Sequence, residues 1–336
     1  MKIINNIKKN TIILLVLTII ILIVILKDDY KEILQVLASM NIMYILLAIF
    51  FFFFYVFLKS YTMYITIDNK EKISLREAYK HELITQFFNG VTPYSAGGQP
   101  MEIYMIKEHN ISLAQSTNIS IQNFIFYQVA LVLFGIFAVT YNYIFKLFPE
   151  TMFLKKLVLL GFIINALVAL GLILVLISKK FTKFVSKVLV KVLAKVRIIK
   201  NKEIILEKVN QKLDEFHNCA RALKHKKKLI IKAILLNLLS LVCLYVIPLF
   251  VVMSLDDFTS LNVLSTLTSS AYVLLIGSFV PVPGASGGIE FGFLTFYGTF
   301  LSKKVVSAVL IMWRFITYYL AIIVGALAFS LEKKVK

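Results

Sequence analysis

Hydrophobic positions along the 336-residue chain gather into long, almost uncharged runs at residues 11–26, 42–67, 156–178, 229–254 and 305–331. A bilayer-spanning helix needs about 20 predominantly apolar residues, and about 17 at the short end. Each run therefore predicts a transmembrane helix, and a further one is expected over about 118–145. The first run could be the core of a signal peptide, because Lys2, Lys8 and Lys9 precede it. No small-residue cleavage site follows it, and Lys27-Asp28-Asp29 comes directly after, so it reads as a retained helix.

Two further stretches, about 75–107 and 259–302, are too apolar for loops and are broken in the middle by proline and glycine. The first break reads Asn89-Gly90-Val91-Thr92-Pro93-Tyr94-Ser95-Ala96-Gly97-Gly98-Gln99-Pro100. The second reads Pro281-Val282-Pro283-Gly284-Ala285-Ser286-Gly287-Gly288-Ile289-Glu290. Pro93 and Pro283 each stand four residues before a Gly-Gly pair, and the landmarks are offset by 190 residues. The same offset carries 42–67 onto 232–257 and 115–141 onto 305–331, on or close to predicted spans. The pattern predicts an internal repeat, with repeat one over about 42–145 and repeat two over about 229–331. The expected fold is an all-α integral membrane protein, one polytopic domain over 1–336. It has about six transmembrane helices and two re-entrant helical hairpins in an inverted repeat.

Composition supports the membrane setting: 59% of residues are hydrophobic, against about 45–50% in soluble domains. Net charge is +19, with 37 basic and 18 acidic residues, and its distribution sets the orientation. Between residues 179 and 232 there are seventeen Lys/Arg against four acids, Glu203, Glu207, Asp214 and Glu215. Such a block could bind nucleic acid. Flanked by membrane spans, it is explained by cytoplasmic orientation and contact with anionic lipid heads. Positive-inside counting places both termini and the 179–228 segment in the cytoplasm, and Asp28, Asp29, Asp256 and Asp257 outside. The two hairpins then enter from opposite faces. Lys303 and Lys304, which this scheme leaves outside, run against the charge rule.

Within the basic segment, Phe181, Phe184, Val185, Val188, Leu189, Val192, Leu193 and Val196 recur at helical spacing. Lys183, Lys187, Lys191 and Lys195 form a second stripe. The expectation is an amphipathic helix lying at the membrane surface. Cys219 and Cys243 have no metal-type spacing. His81, His109, His217 and His225 form no cluster and are expected on polar surfaces, so neither metal nor cofactor is expected.

The residues that could carry chemistry are ionisable groups in apolar context, which are costly in a membrane and face a cavity or a partner. Glu102 follows the first break, Glu290 the second, and Arg314 lies on the final helix. Freed amides and helix N-termini near each break suit an anion, and Arg314 could add a fork of donors to a phosphate. Glu290 and Arg314 could equally form a structural ion pair holding the hairpin. Gly97, Gly98, Gly287 and Gly288 could serve tight crossings, and Gly161, Gly171 and Gly325 are assigned to packing. No nucleophile elbow, P-loop or His-Glu-x-x-His motif is present.

At the two broken motifs the sequence resembles the lysylphosphatidylglycerol synthase transmembrane-region (flippase-domain) family. That family includes the membrane half of the multiple peptide resistance factor. The resemblance rests on Asn89, Thr92-Pro93 and Gly97-Gly98-Gln99-Pro100, then on Pro281-Val282-Pro283-Gly284 and Gly287-Gly288-Ile289-Glu290. It implies movement of a lipid between leaflets of a bacterial cytoplasmic (inner) membrane. The expected cargo is an anionic or aminoacylated phospholipid, or a polyprenyl-phosphate lipid. The expected site joins these motif residues, Tyr104 and Glu102 included, with Arg314. The soluble transferase domain of the fused relatives is not expected after Lys336. A phosphatidylglycerol lysyltransferase, or an accessory subunit of one, is therefore the alternative rather than the leading reading. Beyond membrane lipids, a second copy of the chain or an envelope-lipid biosynthetic enzyme are the candidate partners, and nucleic acid is not.

Overall fold

A computed structural model describes residues 30–67, 73–148, 151–195, 205–206, 212–213, 215–221 and 226–335. The expected first span at 11–26 and most of the segment after residue 195 lie outside these. All regular elements among the described residues are helical: α1 (Tyr30–Ala38), α2 (Ile42–Thr66), α3 (Leu75–Gly90), α4 (Gly98–Glu108), α5 (Leu113–Phe145), α6 (Met152–Ile177), α7 (Lys179–Lys195), α8 (Lys227–Tyr245), α9 (Ile247–Met253), α10 (Val263–Gly277), α11 (Gly288–Tyr297), α12 (Lys303–Arg314) and α13 (Leu320–Val335). A π-helical turn, Phe315–Tyr319, joins α12 to α13. Among the described residues, five stretches are long and apolar enough to cross a bilayer: Ile42–Thr66, Leu113–Phe145, Met152–Ile177, Lys227–Met253 and Lys303–Glu332. The chain is a multi-pass, all-α membrane protein.

Helix starts follow from capping residues. Asn41 Oδ1 accepts from the Met43 amide, Ser74 and Glu77 form a capping box, and Asn262 and Ser265 form another. Ser112 caps α5 by accepting from the Gln115 amide, so that helix begins five residues before the expected boundary. Pro248 lies at the start of α9, where its missing N–H costs nothing, and the long span bends between α8 and α9.

The two breaks open with the same backbone and part after the turn, where Ala96 (ψ −11) and Gly97 (φ −82) stand against Ser286 (ψ 140) and Gly287 (φ 89). Proline restricts its predecessor to extended conformation, and Thr92 (φ −119, ψ 143) and Val282 (φ −119, ψ 155) obey. The next two residues swing to positive φ: Tyr94 (53) and Ser95 (53), against Gly284 (62) and Ala285 (50). The turns Pro93–Ser95 and Pro283–Ala285, the starts of α4 and α11, and the starts of α5 and α12 each stand 190 residues apart.

Packing is reciprocal between these correspondences. α2 lies along α8, its counterpart. α3 packs on α13, and α10, the counterpart of α3, packs on α5, which matches α12–α13. The two breaks touch each other at the centre. Phe52, Tyr55, Leu241, Phe293, Tyr297 and Trp313 belong to one contiguous apolar cluster, and Val91 and Tyr318 at the breaks form a separate one.

Lys304, one of the two lysines that run against the expected charge scheme, pairs with Glu32 of α1. The histidine expectation is corrected. His81 is buried, its Nε2 3.4 Å from Nε2 of His109, and His217 is also buried. His81 and His217 are therefore not on a polar surface, His109 is half-buried, and His225 lies outside the described residues. Gly161 and Gly325 do serve close crossings, against Leu275 and Leu83 backbone respectively. Gly171 has nothing within 4 Å of a would-be Cβ, so packing does not explain it.

Candidate functional site

Where the breaks meet, two cavities share walls. The larger is about 720 Å³ and is lined by both breaks, by Tyr55, Gln86 and Asn89, by Tyr127 and Gln128 of α5, and by Trp313, Arg314, Thr317 and Tyr318. The smaller is about 250 Å³ and has a more polar wall containing Lys59, Glu82, Thr85, Gln99, Glu102 and Asn123. Tyr55, Gln86, Asn89, Tyr94, Ser95, Phe124 and Tyr127 line both. Tyr94 is 63% exposed, which puts the first break at the mouth.

At the second break Glu290 and Arg314 are both buried. Arg314 Nε donates to Glu290 Oε1 at 2.6 Å, and Arg314 Nη2 donates to the Gly284 carbonyl at 3.1 Å. Glu290 Oε2 accepts from the Gly287 amide at 2.6 Å, capping α11. This unites four expected site residues in one staple. Arg314 lines the cavity, and its Nη1 is the guanidinium nitrogen that these bonds leave over. The guanidinium also lies 4.9 Å from the centre of the Tyr318 ring. Tyr318 then crosses to the other break, its hydroxyl donating to the Gly90 carbonyl at 2.9 Å. π-helical turns recur at functional sites, and this one aims Thr317 and Tyr318 at the cavity.

Gly284 is held by two constraints. Its φ of +62 favours glycine, and a Cβ there would stand 2.3 Å from Tyr318 Cζ. The Gly287 φ of +89 likewise lies in glycine territory, whereas a Cβ on Gly288 would meet Val280 Cγ2 at 2.3 Å. In the first break Thr92 Oγ1 donates to the Phe88 carbonyl and accepts from the Gly97 amide, closing the turn. Asn89 lies over Gly98, where a Cβ would come within 2.0 Å of Asn89 Oδ1. Pro93, Tyr104 and Pro281 are exposed and line neither cavity, whereas Pro283 is buried.

The first half holds a second buried ion pair that sequence reasoning missed. Lys59 Nζ stands 2.7 Å from Glu82 Oε1, which also accepts from Gln86 Nε2 at 2.6 Å. The Tyr127 ring centre is 5.1 Å from the ammonium. The available signal was Lys59 itself, a single charge inside the apolar run 42–67. Glu102 is separate from this pair, accepting from Ser120 Oγ at 2.8 Å and Asn123 Nδ2 at 3.0 Å. On three residues that line the smaller cavity, Thr85 Oγ1, Asn89 Oδ1 and Asn123 Oδ1 are buried without a hydrogen-bond partner. Among the described residues no group of three metal-ligating side chains assembles.

Away from the breaks, α7 carries Lys183, Lys187 and Lys191 exposed beside Phe184, Val188, Leu189 and Val192, also exposed. The Lys195 side chain lies outside the described residues.

The family model described as the lysylphosphatidylglycerol synthase TM region matches residues 11–325. No curated protein and no solved structure matches the chain.

Proposed function

This chain belongs to the lysylphosphatidylglycerol synthase transmembrane-region family, and from that premise we propose that it carries a phospholipid headgroup between leaflets through the cavity where the two breaks meet. The observation that carries this reading is the cavity's chemistry. The larger cavity is of ligand size, within the ~300–1,000 Å³ usual for pockets, and charged groups stand at its rim and in the smaller cavity that shares its walls. One side offers Arg314, whose Nη1 its own bonds leave over, which suits a phosphate. The other side offers Glu82 and Glu102 against a single lysine, which suits an ammonium. A headgroup bearing both, such as an aminoacylated phospholipid, matches the cavity at each end.

An inverted repeat supplies the motion. Reciprocal packing of α3 on α13 and of α10 on α5, with break against break, supports two halves related by a two-fold axis in the membrane plane. Re-entrant hairpins are admissible at that depth because their backbone is covered by protein or lines a wet cavity. In this reading both termini and α7 face the cytoplasm, with the α7 lysines on the anionic leaflet surface.

The test is reconstitution. Full-length protein in phosphatidylcholine vesicles should render headgroup-labelled phosphatidylglycerol of the inner leaflet accessible to a membrane-impermeant quencher. Arg314→Gln, compared at equal folded protein, should slow this at least tenfold. Vesicles whose inner-leaflet label stays as protected as in protein-free vesicles would refute the proposal.

A further inference from the structure

Glu102 is a buried carboxyl without a cation of its own. It is 8% exposed, and its two oxygens accept from the neutral donors Ser120 and Asn123. Lys59, the ammonium of the same cavity, is committed to Glu82 at 2.7 Å. The groups that face Glu102 are therefore Tyr55 and Lys59 from α2, Glu82 from α3 and Tyr127 from α5. His109 closes α4 at its far end, against His81. Two carboxylates against one ammonium leave the cavity one negative charge in excess if both are ionised.

An uncompensated carboxylate removed from water is expensive enough that such groups take up a proton or pair with a cation. The wall around it is under-bonded. Thr85 Oγ1, on a residue that is 5% exposed, and the Oδ1 atoms of Asn89 and Asn123 have no hydrogen-bond partner, and all three residues line the same cavity. The two amide oxygens can accept, and the hydroxyl can accept or donate.

We propose that Glu102 is an exchange site, which holds a proton until a primary ammonium enters the cavity and gives up that proton as the ammonium arrives. The O–H bond of the carboxyl breaks, the proton leaves to water at the cavity mouth, and the ammonium keeps all its own protons. No electrons are transferred. Cargo moving one way is thereby tied to a proton moving the other. This rests on the reading of the cavity as a headgroup site.

The experiment reads the proton directly. Infrared difference spectra of the full-length protein in phosphatidylcholine vesicles follow the protonated-carboxyl stretch through a pH titration. Phosphatidylethanolamine, whose ammonium can donate hydrogen bonds as choline cannot, is then added as the probe. The wild type should show a protonated-carboxyl band that disappears as the pH is raised. Phosphatidylethanolamine should lower its midpoint by about one pH unit, roughly tenfold in proton affinity. Glu102→Gln should lack the band, and Glu82→Gln should retain it. Glu102→Asp, the backup should the amide variant not fold, should shift it. A band unchanged in both Glu102 variants, or a wild-type midpoint indifferent to phosphatidylethanolamine, overturns the proposal. The quencher assay separates this from the lipid-moving reading: a band that behaves as expected with no lipid movement refutes only the latter.

Discussion

Replacing Gly284 by alanine should loosen the contact between the two halves of the bundle. The residue sits at φ +62, where an L side chain costs about 1–2 kcal/mol. The new Cβ would also stand 2.3 Å from Tyr318 Cζ and 2.5 Å from its hydroxyl oxygen, so the ring must leave. With it goes the 2.9 Å bond from that hydroxyl to the Gly90 carbonyl, worth about 0.5–1.5 kcal/mol net. The sum is a destabilisation of roughly 1.5–3.5 kcal/mol. Gly171→Ala is the control: nothing lies within 4 Å of its Cβ position, and alanine in a helix interior gains up to about 1 kcal/mol over glycine. Reversible unfolding in mixed micelles measures both. A Gly284→Ala protein within about 0.5 kcal/mol of wild type, the size of ordinary surface changes, would refute the reasoning that the turn and the tyrosine constrain each other.

Other perturbations follow from the same geometry. Arg314→Met leaves Glu290 buried and unpaired, so it should destabilise by about 3–5 kcal/mol. Adding Glu290→Met should recover most of that in the same unfolding assay, but not the Gly287 amide cap. Lys59→Met strands Glu82 in the same way, and the second change Glu82→Gln should restore folding, read as recovery of the monodisperse peak in size exclusion. For α7, a cysteine at Phe184, 64% exposed, should resist a water-soluble maleimide in anionic vesicles. It should label once Lys183, Lys187 and Lys191 are changed to glutamine, and equal labelling in both proteins would leave α7 as a solvated helix.

Hydropathy made the spans legible because a lipid-facing helix must be apolar along its whole length, and the ends at 42, 152 and 303 lie within four residues of the expected ones. The breaks were legible because proline and glycine act locally: Pro93 and Pro283 dictate their neighbours' backbone without help from tertiary contacts. The pairing of Glu290 with Arg314 could be suspected from two lone charges in apolar surroundings. The Lys59–Glu82 pair has the same signature, but Glu82 lies on α3, which carries several polar residues, so its carboxylate did not stand out. The burial of His81 against His109 and the outward placement of Tyr104 depend on how α3, α4 and α13 cross. No period within a single helix encodes such crossings.

The claim that a headgroup enters the space between the breaks is tested most directly by covalent capture. Phosphatidylglycerol with a photoreactive headgroup is incorporated into vesicles holding the full-length protein, irradiated, and its adducts located by peptide mass spectrometry. Adducts should fall on the first break at Tyr94 and Ser95 and on the π-helical turn at Thr317 and Tyr318, which line the cavity from its two sides. Arg314→Gln should reduce them. Adducts confined to outward-facing residues such as Phe153 and Leu160, unchanged by that substitution, would contradict it.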